Sequence, residues 1–450
     1  MIALARRRTE LGLILLGALV TAGAYALAAL GRTATLPADI GPFLVMVLAL
    51  LVTAHLATRR FAPGADGLLL PLAALLNGIG YVFIARLDEA KADPSGLAGL
   101  QSVWTALGVG AYIVTLLVVR RARDLARLRY SFLLLGVALL LLPLVPVVGQ
   151  TVNGARIWVA LGPVGFQPGE FGKIALAVFF AGYLVENREA LGLRALDLRE
   201  LAPVLVAWGI SLVVMFFERD LGSSLLFFAL FVVLLWVATG RALYLGLGGA
   251  LFAGGAFLAY RVFNHVQERV ATWYPFWELP PDPTGDGFQI TQSWFAMAWG
   301  GIGGTGLGLG NPQRIPVVET DFIFAAIGEE LGLFGTTAII VGFLLLASSG
   351  LRVAARTEDP FDKLLATGLT TLLAIQAFII MAGVTKLLPL TGVTLPFVSY
   401  GGSSLLGNYV LLALLVRISD DAARRRGELP EPRARRWRRS ATAPDPADAP

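Results

Sequence analysis

Twelve apolar runs, each long enough to cross a bilayer, dominate this sequence; they fall near 11–31, 39–58, 67–86, 99–119, 128–149, 168–186, 200–217, 221–240, 242–262, 322–349, 364–386 and 393–416. Roughly 17 to 25 residues make a transmembrane helix. With no water in the hydrocarbon, backbone polar groups must be satisfied within helices or a closed barrel. The runs therefore predict an all-α polytopic membrane protein of about twelve helices. Only 15% of the 450 residues are charged, against about 25% in soluble proteins. The first run follows Arg6, Arg7 and Arg8, as a signal peptide would. It exceeds the roughly 7 to 15 residues of a signal h-region and reads as an uncleaved span.

The chain has no cysteine and two histidines, His55 and His265. Disulfides and thiolate metal sites are excluded, and any metal would be a hard cation on oxygen ligands. The net charge of +5 does not indicate a nucleic-acid partner, because the arginines cluster in short loops between apolar runs. Under the positive-inside rule, Arg59 and Arg60, the group from Arg120 to Arg129, Arg188, Arg194, Arg199, Arg241, Arg352, Arg356 and Lys363 mark cytoplasmic loops. Both termini then lie in the cytoplasm. The tail, rich in Pro, Ala, Asp and Arg, cannot build a core. It is expected to be disordered from about 420 and held to anionic lipid. The division expected is 1–64 as a two-helix addition, 65–418 as the core with a long outer loop at 263–321, and 419–450 as a basic tail.

The outer segments hold the unusual chemistry. Residues 150–173 carry Gly and Pro at spacings that argue against a continuous helix, and Trp158 suits an interface. Glu170 and Lys173 share one helical face, either as a mutually neutralising pair or as the polar wall of a cavity. Glu218-Arg219-Asp220 makes a tight turn, where charges are ordinarily solvated. The long loop contains Trp273, Tyr274, Phe276 and Trp277, then an amphipathic piece from Gln289 to Trp299 suited to the interface, then the glycine run Gly300–Gly310. That run lacks the strand and helix of a dinucleotide fingerprint; its glycines let backbone approach a neighbour closely. Lys386 to Ser404 breaks the last span with Pro389, Pro396, Gly401 and Gly402. Asp321, Glu329 and Glu330 enter what otherwise reads as a membrane helix, where a charge costs about 2.5 to 3.5 kcal/mol. Asp321 comes at its first turn, where the helix dipole favours the ionised form.

Several blocks in order resemble the SEDS family of RodA-, FtsW- and SpoVE-type proteins, with the two N-terminal helices similar to an addition in RodA-like actinobacterial members. They are Asn153-Gly154-Ala155 through Trp158 to Gln167-Pro168-x-Glu170-Phe171-x-Lys173, Asp220-Leu221-Gly222, Gln289 with Gln292-Ser293, Thr320-Asp321-Phe322-Ile323-Phe324 through Gly332, and Leu395 to Ser404. Departures from the family pattern are Ile157 where an arginine is usual, Glu319 for a histidine and Glu218 for a glutamine.

The resemblance implies a peptidoglycan glycosyltransferase that polymerises lipid II, the undecaprenyl-pyrophosphate-linked disaccharide pentapeptide, on the outer face of the bacterial cytoplasmic membrane. It implies Asp321 as catalytic base, and Trp158, Arg156, Glu170, Lys173, Asp220, Gln292, Ser293, Lys386 and Ser403 as substrate-binding candidates. Arg156, Lys173, Arg219 and Lys386 are candidates to meet the charge on the leaving pyrophosphate, with room for Mg²⁺ or Mn²⁺ on oxygen ligands. Glu329 and Glu330 read as support. Implied partners are membrane lipid and a class B penicillin-binding protein. Alternatives are a lipid II flippase, which ought to show paired repeats, and a scaffold for a penicillin-binding transpeptidase.

Overall fold

The computed structural model describes residues 2–36, 40–90, 96–146, 148–152, 155–161, 164–188, 202, 205–206, 208–210, 212–213, 217–218, 220–274, 278–279, 282, 284–285 and 287–428. Ten of the described helices are long and apolar enough to cross a membrane. They include α1 (Ile2–Thr33), α2 (Ile40–Phe61), α3 (Leu69–Glu89) and α4 (Leu97–Val118). Then come α5 (Arg129–Leu141), extended by 3-10 turns at both ends, and α6 (Gly169–Glu186). α6 is 18 residues long but carries Glu170, Lys173 and Glu186, so it is set apart from the ten by charge. The expected span at 200–217 lies mostly outside the described residues. The chain continues with α7 (Leu221–Thr239), α8 (Leu243–Val262), the short α9 (Asn264–Trp273) and α10 (Phe288–Gly300), and ends with α11 (Ile323–Arg356), α12 (Pro360–Val384) and α13 (Gly402–Arg425). α12 and α13 are buried along most of their length, whereas α1, α2, α5 and α8 leave most of theirs exposed, as lipid-facing helices do. α13 packs on α4, α6 on α5 and α12, and α10 on α11.

The fold is all-α in class with one addition that the sequence reading did not contain. Between α5 and α6, β1 (Gly149–Val152), β2 (Ala155–Leu161) and β3 (Val164–Phe166) form an antiparallel sheet in the order β1-β2-β3, with Gln150 opposite Trp158 and Val159 opposite Phe166. Ile157, Trp158 and Val159 favour the extended backbone.

The composition boundary at about 420 is also displaced. α13 runs on to Arg425, because Asp420 and Asp421 are buried acceptors. Asp420 takes the Gly64 amide at 2.7 Å and the Arg424 guanidinium at 2.7 Å, and Asp421 takes the Ala122 amide at 2.9 Å. These bonds fix two loops to the end of α13. The remainder of the tail, 429–450, lies outside the described residues.

α11 is two helices joined at Gly332, whose φ of 61° and ψ of −157° are open essentially to glycine alone. The break frees the Glu329 and Glu330 carbonyls and the Leu333 and Phe334 amides. The glycine run takes all four: Thr305 N donates to Glu329 O (2.9 Å) and Gly306 N to Glu330 O (3.0 Å), while Leu333 N donates to Gly301 O (2.9 Å) and Phe334 N to Ile302 O (3.3 Å). A Cβ on Gly332 would stand 2.3 Å from Gly304 N. The far end of α1 leans on the same run, since a Cβ on Gly31 would lie 2.1 Å from Leu307 O.

Gly332→Ala is therefore expected to cost about 1–3 kcal/mol in backbone strain alone and to lower the Tm of the detergent-purified protein. Gly110→Ala, placed in open space on α4, should not. Equal Tm values for Gly332→Ala and wild type would refute this account of the break.

Candidate active site

Asp321 stands two residues before α11, just ahead of the N-cap Phe322, and keeps some accessible surface. The backbone of the two residues before it is fastened to the segment before α13. Tyr400 N donates to Glu319 O at 2.8 Å, and Ser399 Oγ donates to Thr320 O at 2.5 Å. Gly392 lies against its carboxylate, with the built Cβ position 3.9 Å from Asp321 Oδ2. Burial pushes the Asp321 carboxyl up to about 6, opposed by a hydrogen bond from Thr320 and by the charge of Arg269. This reverses the expectation from the helix dipole. Desolvation outweighs the dipole here, because the carboxyl precedes the helix and is packed against the 392 loop.

Arg269, on α9, was not found by sequence reasoning. It donates to the Leu390 carbonyl and sits close enough to act on Asp321. Its position, fifty-two residues earlier in the sequence, gives no local pattern to detect.

A second polar group is built across α6, α12 and the same loop. Lys173 Nζ lies 2.8 Å from Glu170 Oε2 and donates to Gln376 Oε1 at 3.1 Å. Gln376 in turn donates to Thr394 O at 2.9 Å, and Thr394 Oγ1 is 2.8 Å from Ser404 Oγ. Ser403 Oγ accepts from Gln167 N at 3.0 Å. The Glu170–Lys173 pair is thus a neutralised pair, tied through Gln376 to the loop before α13. Gln376 was legible only as an amide stranded in an apolar run, which is a signal for a partner at bilayer depth.

Lys386 completes the arrangement from the other side. Its backbone has a φ of 60°, its ammonium donates to Glu278 O at 2.6 Å and stands 5.0 Å from the centre of the Trp294 ring, and Trp273 Nε1 donates to its carbonyl at 3.0 Å. Burial pulls this ammonium below the usual lysine range, with Glu278 opposing. Gln292 is half-buried on α10, and the Ser293 hydroxyl is turned back to Ile290 O at 2.8 Å. The helix expected to lie along the interface packs against α11.

Other expected residues make contacts within the fold. Asp220 caps α7, accepting from Ser223 N at 2.9 Å. Arg156 donates through Nε to Pro143 O at 3.0 Å, and through its backbone to Glu218 O at 3.0 Å. Trp158 covers Gly165 of β3. Glu218 is buried rather than solvated; that burial, with Asp220 beside it, pushes its carboxyl up to about 9. It is a neutral acid at pH 7, close in shape and hydrogen bonding to the glutamine of the family pattern. Arg219, Phe276, Trp277, Asn153 and Gly154 lie outside the described residues.

Glu329 and Glu330 hold the glycine run. Glu329 accepts from Asn311 N at 2.6 Å, and Glu330 accepts from Gly308 N at 3.0 Å and pairs with Arg86 Nε at 2.5 Å. Among the described residues no three His, Asp or Glu side chains converge as a metal cage, and Glu170, Glu329 and Glu330 are already engaged.

Residues 67–424 match the family model of the FtsW/RodA/SpoVE cell cycle proteins. The chain is 46% identical over 433 residues to the peptidoglycan glycosyltransferase RodA of Mycobacterium tuberculosis, covering 93% of this chain and 92% of that one. It is 36% identical over 364 residues to a probable peptidoglycan glycosyltransferase FtsW of Geobacter metallireducens, covering 79% and 94%. Among solved structures it resembles a chain from a peptidoglycan synthase complex that coordinates polymerization and crosslinking (TM-score 0.64, 25% identity, 80% of this chain and 98% of that one). It also resembles the Rod shape determining protein RodA of Thermus thermophilus (TM-score 0.54, 26% identity, 79% and 97%). A family model spanning 67–424 and a relative so similar over nearly the whole length make this chain a member of the FtsW/RodA/SpoVE family of cell cycle proteins.

Proposed function

We propose that this protein is a peptidoglycan glycosyltransferase that polymerises lipid II, with Asp321 as the base. The observation that carries the reading is the placement of Asp321: a partly accessible carboxylate just ahead of α11, set against Gly392, on a backbone that Ser399 and Tyr400 hold at the two preceding residues, with burial pushing the carboxyl up to about 6. A base poised near the working pH, with some accessible surface, meets the demand of the step. The acceptor hydroxyl attacks the anomeric carbon of the donor sugar and gives its proton to Asp321. A new C–O bond forms, the bond from the anomeric carbon to the pyrophosphate oxygen breaks, and undecaprenyl pyrophosphate leaves as the anion. The leaving group needs no acid, unlike the alcohol of glycoside hydrolysis; it needs positive charge, for which Lys173, Arg269 and Lys386 are the candidates.

The Lys and Arg distribution supports an outward-facing Asp321 and cytoplasmic termini. Similarity to a chain of a complex that couples polymerization and crosslinking supports a class B penicillin-binding protein as partner.

Asp321→Asn is expected to abolish glycan-strand synthesis from lipid II in proteoliposomes and to leave folding and insertion intact. Lipid II scrambling followed in the same vesicles separates the readings. Scrambling lost together with polymerisation, or scrambling with no polymerisation in wild type, would make the chain a flippase.

The raised carboxyl also sets a pH profile. The base works when deprotonated, so initial rates should fall below pH about 6 and level off above it. Arg269→Ala removes a charge that favours the ionised form and should move this acid limb to higher pH. A limb that stays in place in that variant excludes Arg269 from tuning the base.

Lys173→Met strands the buried Glu170 carboxylate, a loss of about 3–5 kcal/mol for a buried pair. The double change Glu170→Gln with Lys173→Met should recover most of the Tm. Activity should stay low in the double variant if the pair is a working wall of the site, and return with the Tm if it is only structural.

A further inference from the structure

Arg86 sits in the last turn of α3 and is buried. A buried guanidinium in an apolar helix needs partners, and its planar fork offers donors in fixed directions. Its three nitrogens reach three places. Nε pairs with Glu330 Oε1 at 2.5 Å, Nη2 donates to Gly310 O at 2.6 Å, and Nη1 donates to Gln313 Oε1 at 3.1 Å. One side chain therefore ties α3 both to α11 and to the start of the segment that ends at Asp321.

That segment is a strained arch. From Asn311 it makes a 3-10 turn at Pro312–Arg314, buries Ile315 and Val318, and carries Val317 at a φ of 54°. A β-branched residue holds such a backbone only where its surroundings impose it. The far end of the arch is fixed at Glu319 by Tyr400 and at Thr320 by Ser399. Its near end is fixed at the Asn311 amide by Glu329, and at Gly310 and Gln313 by Arg86. α1 backs the near end. Arg32 donates to the Glu89 carbonyl, three residues from Arg86, and a Cβ on Gly308 would stand 2.1 Å from Ala28 O.

We infer that Arg86 is a positioning residue for the transfer reaction, holding the arch that sets Asp321, and that α1, outside the 67–424 family core, buttresses it. This rests on Asp321 being the base of the reaction proposed above. Arg86 acts through Gly310 and Gln313 rather than on the Asp321 carboxylate. Pairing with Glu330 needs only one positive charge at one point, which a lysine supplies; the contacts with Gly310 and Gln313 need the fork.

Arg86→Lys separates the two roles, because it keeps a charge beside Glu330 and loses the fork. In proteoliposomes its kcat for lipid II polymerisation should fall about tenfold or more, as a small misplacement of reacting groups produces, with KM unchanged. Hydrogen–deuterium exchange should rise across 310–321 in the same variant, a readout that does not depend on activity. Gly31→Leu, whose Cβ would meet Leu307 O at 2.1 Å, should give the same two changes from α1, and Gly23→Leu, in open space on that helix, should give neither. Gln313→Ala removes one contact of the fork at a half-buried side chain and keeps the test decisive where Arg86→Lys fails to fold. A wild-type kcat in the folded Arg86→Lys or Gln313→Ala variant, a raised KM with kcat unchanged, or exchange unmoved across 310–321 would overturn the assignment. A wild-type protein that makes no glycan overturns the polymerase reading instead, and the exchange result then decides by itself whether Arg86 holds the arch.

Discussion

The exchange of backbone hydrogen bonds at Gly332 is the interaction on which the rest of the site depends. A helix that breaks at membrane depth leaves amides and carbonyls that no water can satisfy, at several kcal/mol each. The glycine run of 301–306 supplies all four missing partners, and it can do so only because Gly304 and Gly332 bring backbone onto backbone without side chains between. The carboxylates of Glu329 and Glu330 then tie down the following turns at Asn311 and Gly308. Asp321 is reached from Asn311 in ten residues, so its position follows from how firmly the broken helix grips this run. α1 adds a prop from outside the family core. Its Gly31 seats on Leu307, and its Arg32 bonds the carbonyl of Glu89 near Arg86, the cation that pairs with Glu330.

The loop from Lys386 to Ser404 joins the two polar groups. Asp321 meets it at Gly392, and Lys173 reaches it at Thr394 by way of Gln376. Two of its residues, Lys386 and Phe397, hold positive φ without being glycine. Such strain persists only where surroundings over-determine it. The bonds to Glu278, Trp273, Asn77 and Thr320 do that work at separate points. The loop is thereby pinned from α3, from α9, from Glu278 ahead of α10 and from Thr320 ahead of α11.

Much of this was legible in the sequence, for identifiable reasons. Spans declare themselves by length and hydropathy, and the family blocks survive because close-packed glycines and buried polar pairs tolerate few replacements. The state of Asp321 was not legible: position in the sequence suggested a helix dipole acting on it, whereas the deciding quantity is packing against a loop seventy residues later. Arg269 was hidden for the same reason. The sheet at 149–166 was masked by Gly and Pro signals that mark turns and strand ends alike. The end of α13 was misplaced because Asp420 and Asp421, which look solvated there, are partnered with loops more than two hundred residues away.

The two acidic residues of the site can be told apart on environment alone. Glu170 is held by Lys173 at 2.8 Å. Among the described residues no salt bridge reaches Asp321, and the Arg269 charge acts on it without direct contact. One carboxylate is thus fixed by a cation in contact, and the other by packing against the 392 loop. A change at Lys173 therefore acts on the first and a change at Arg269 on the second.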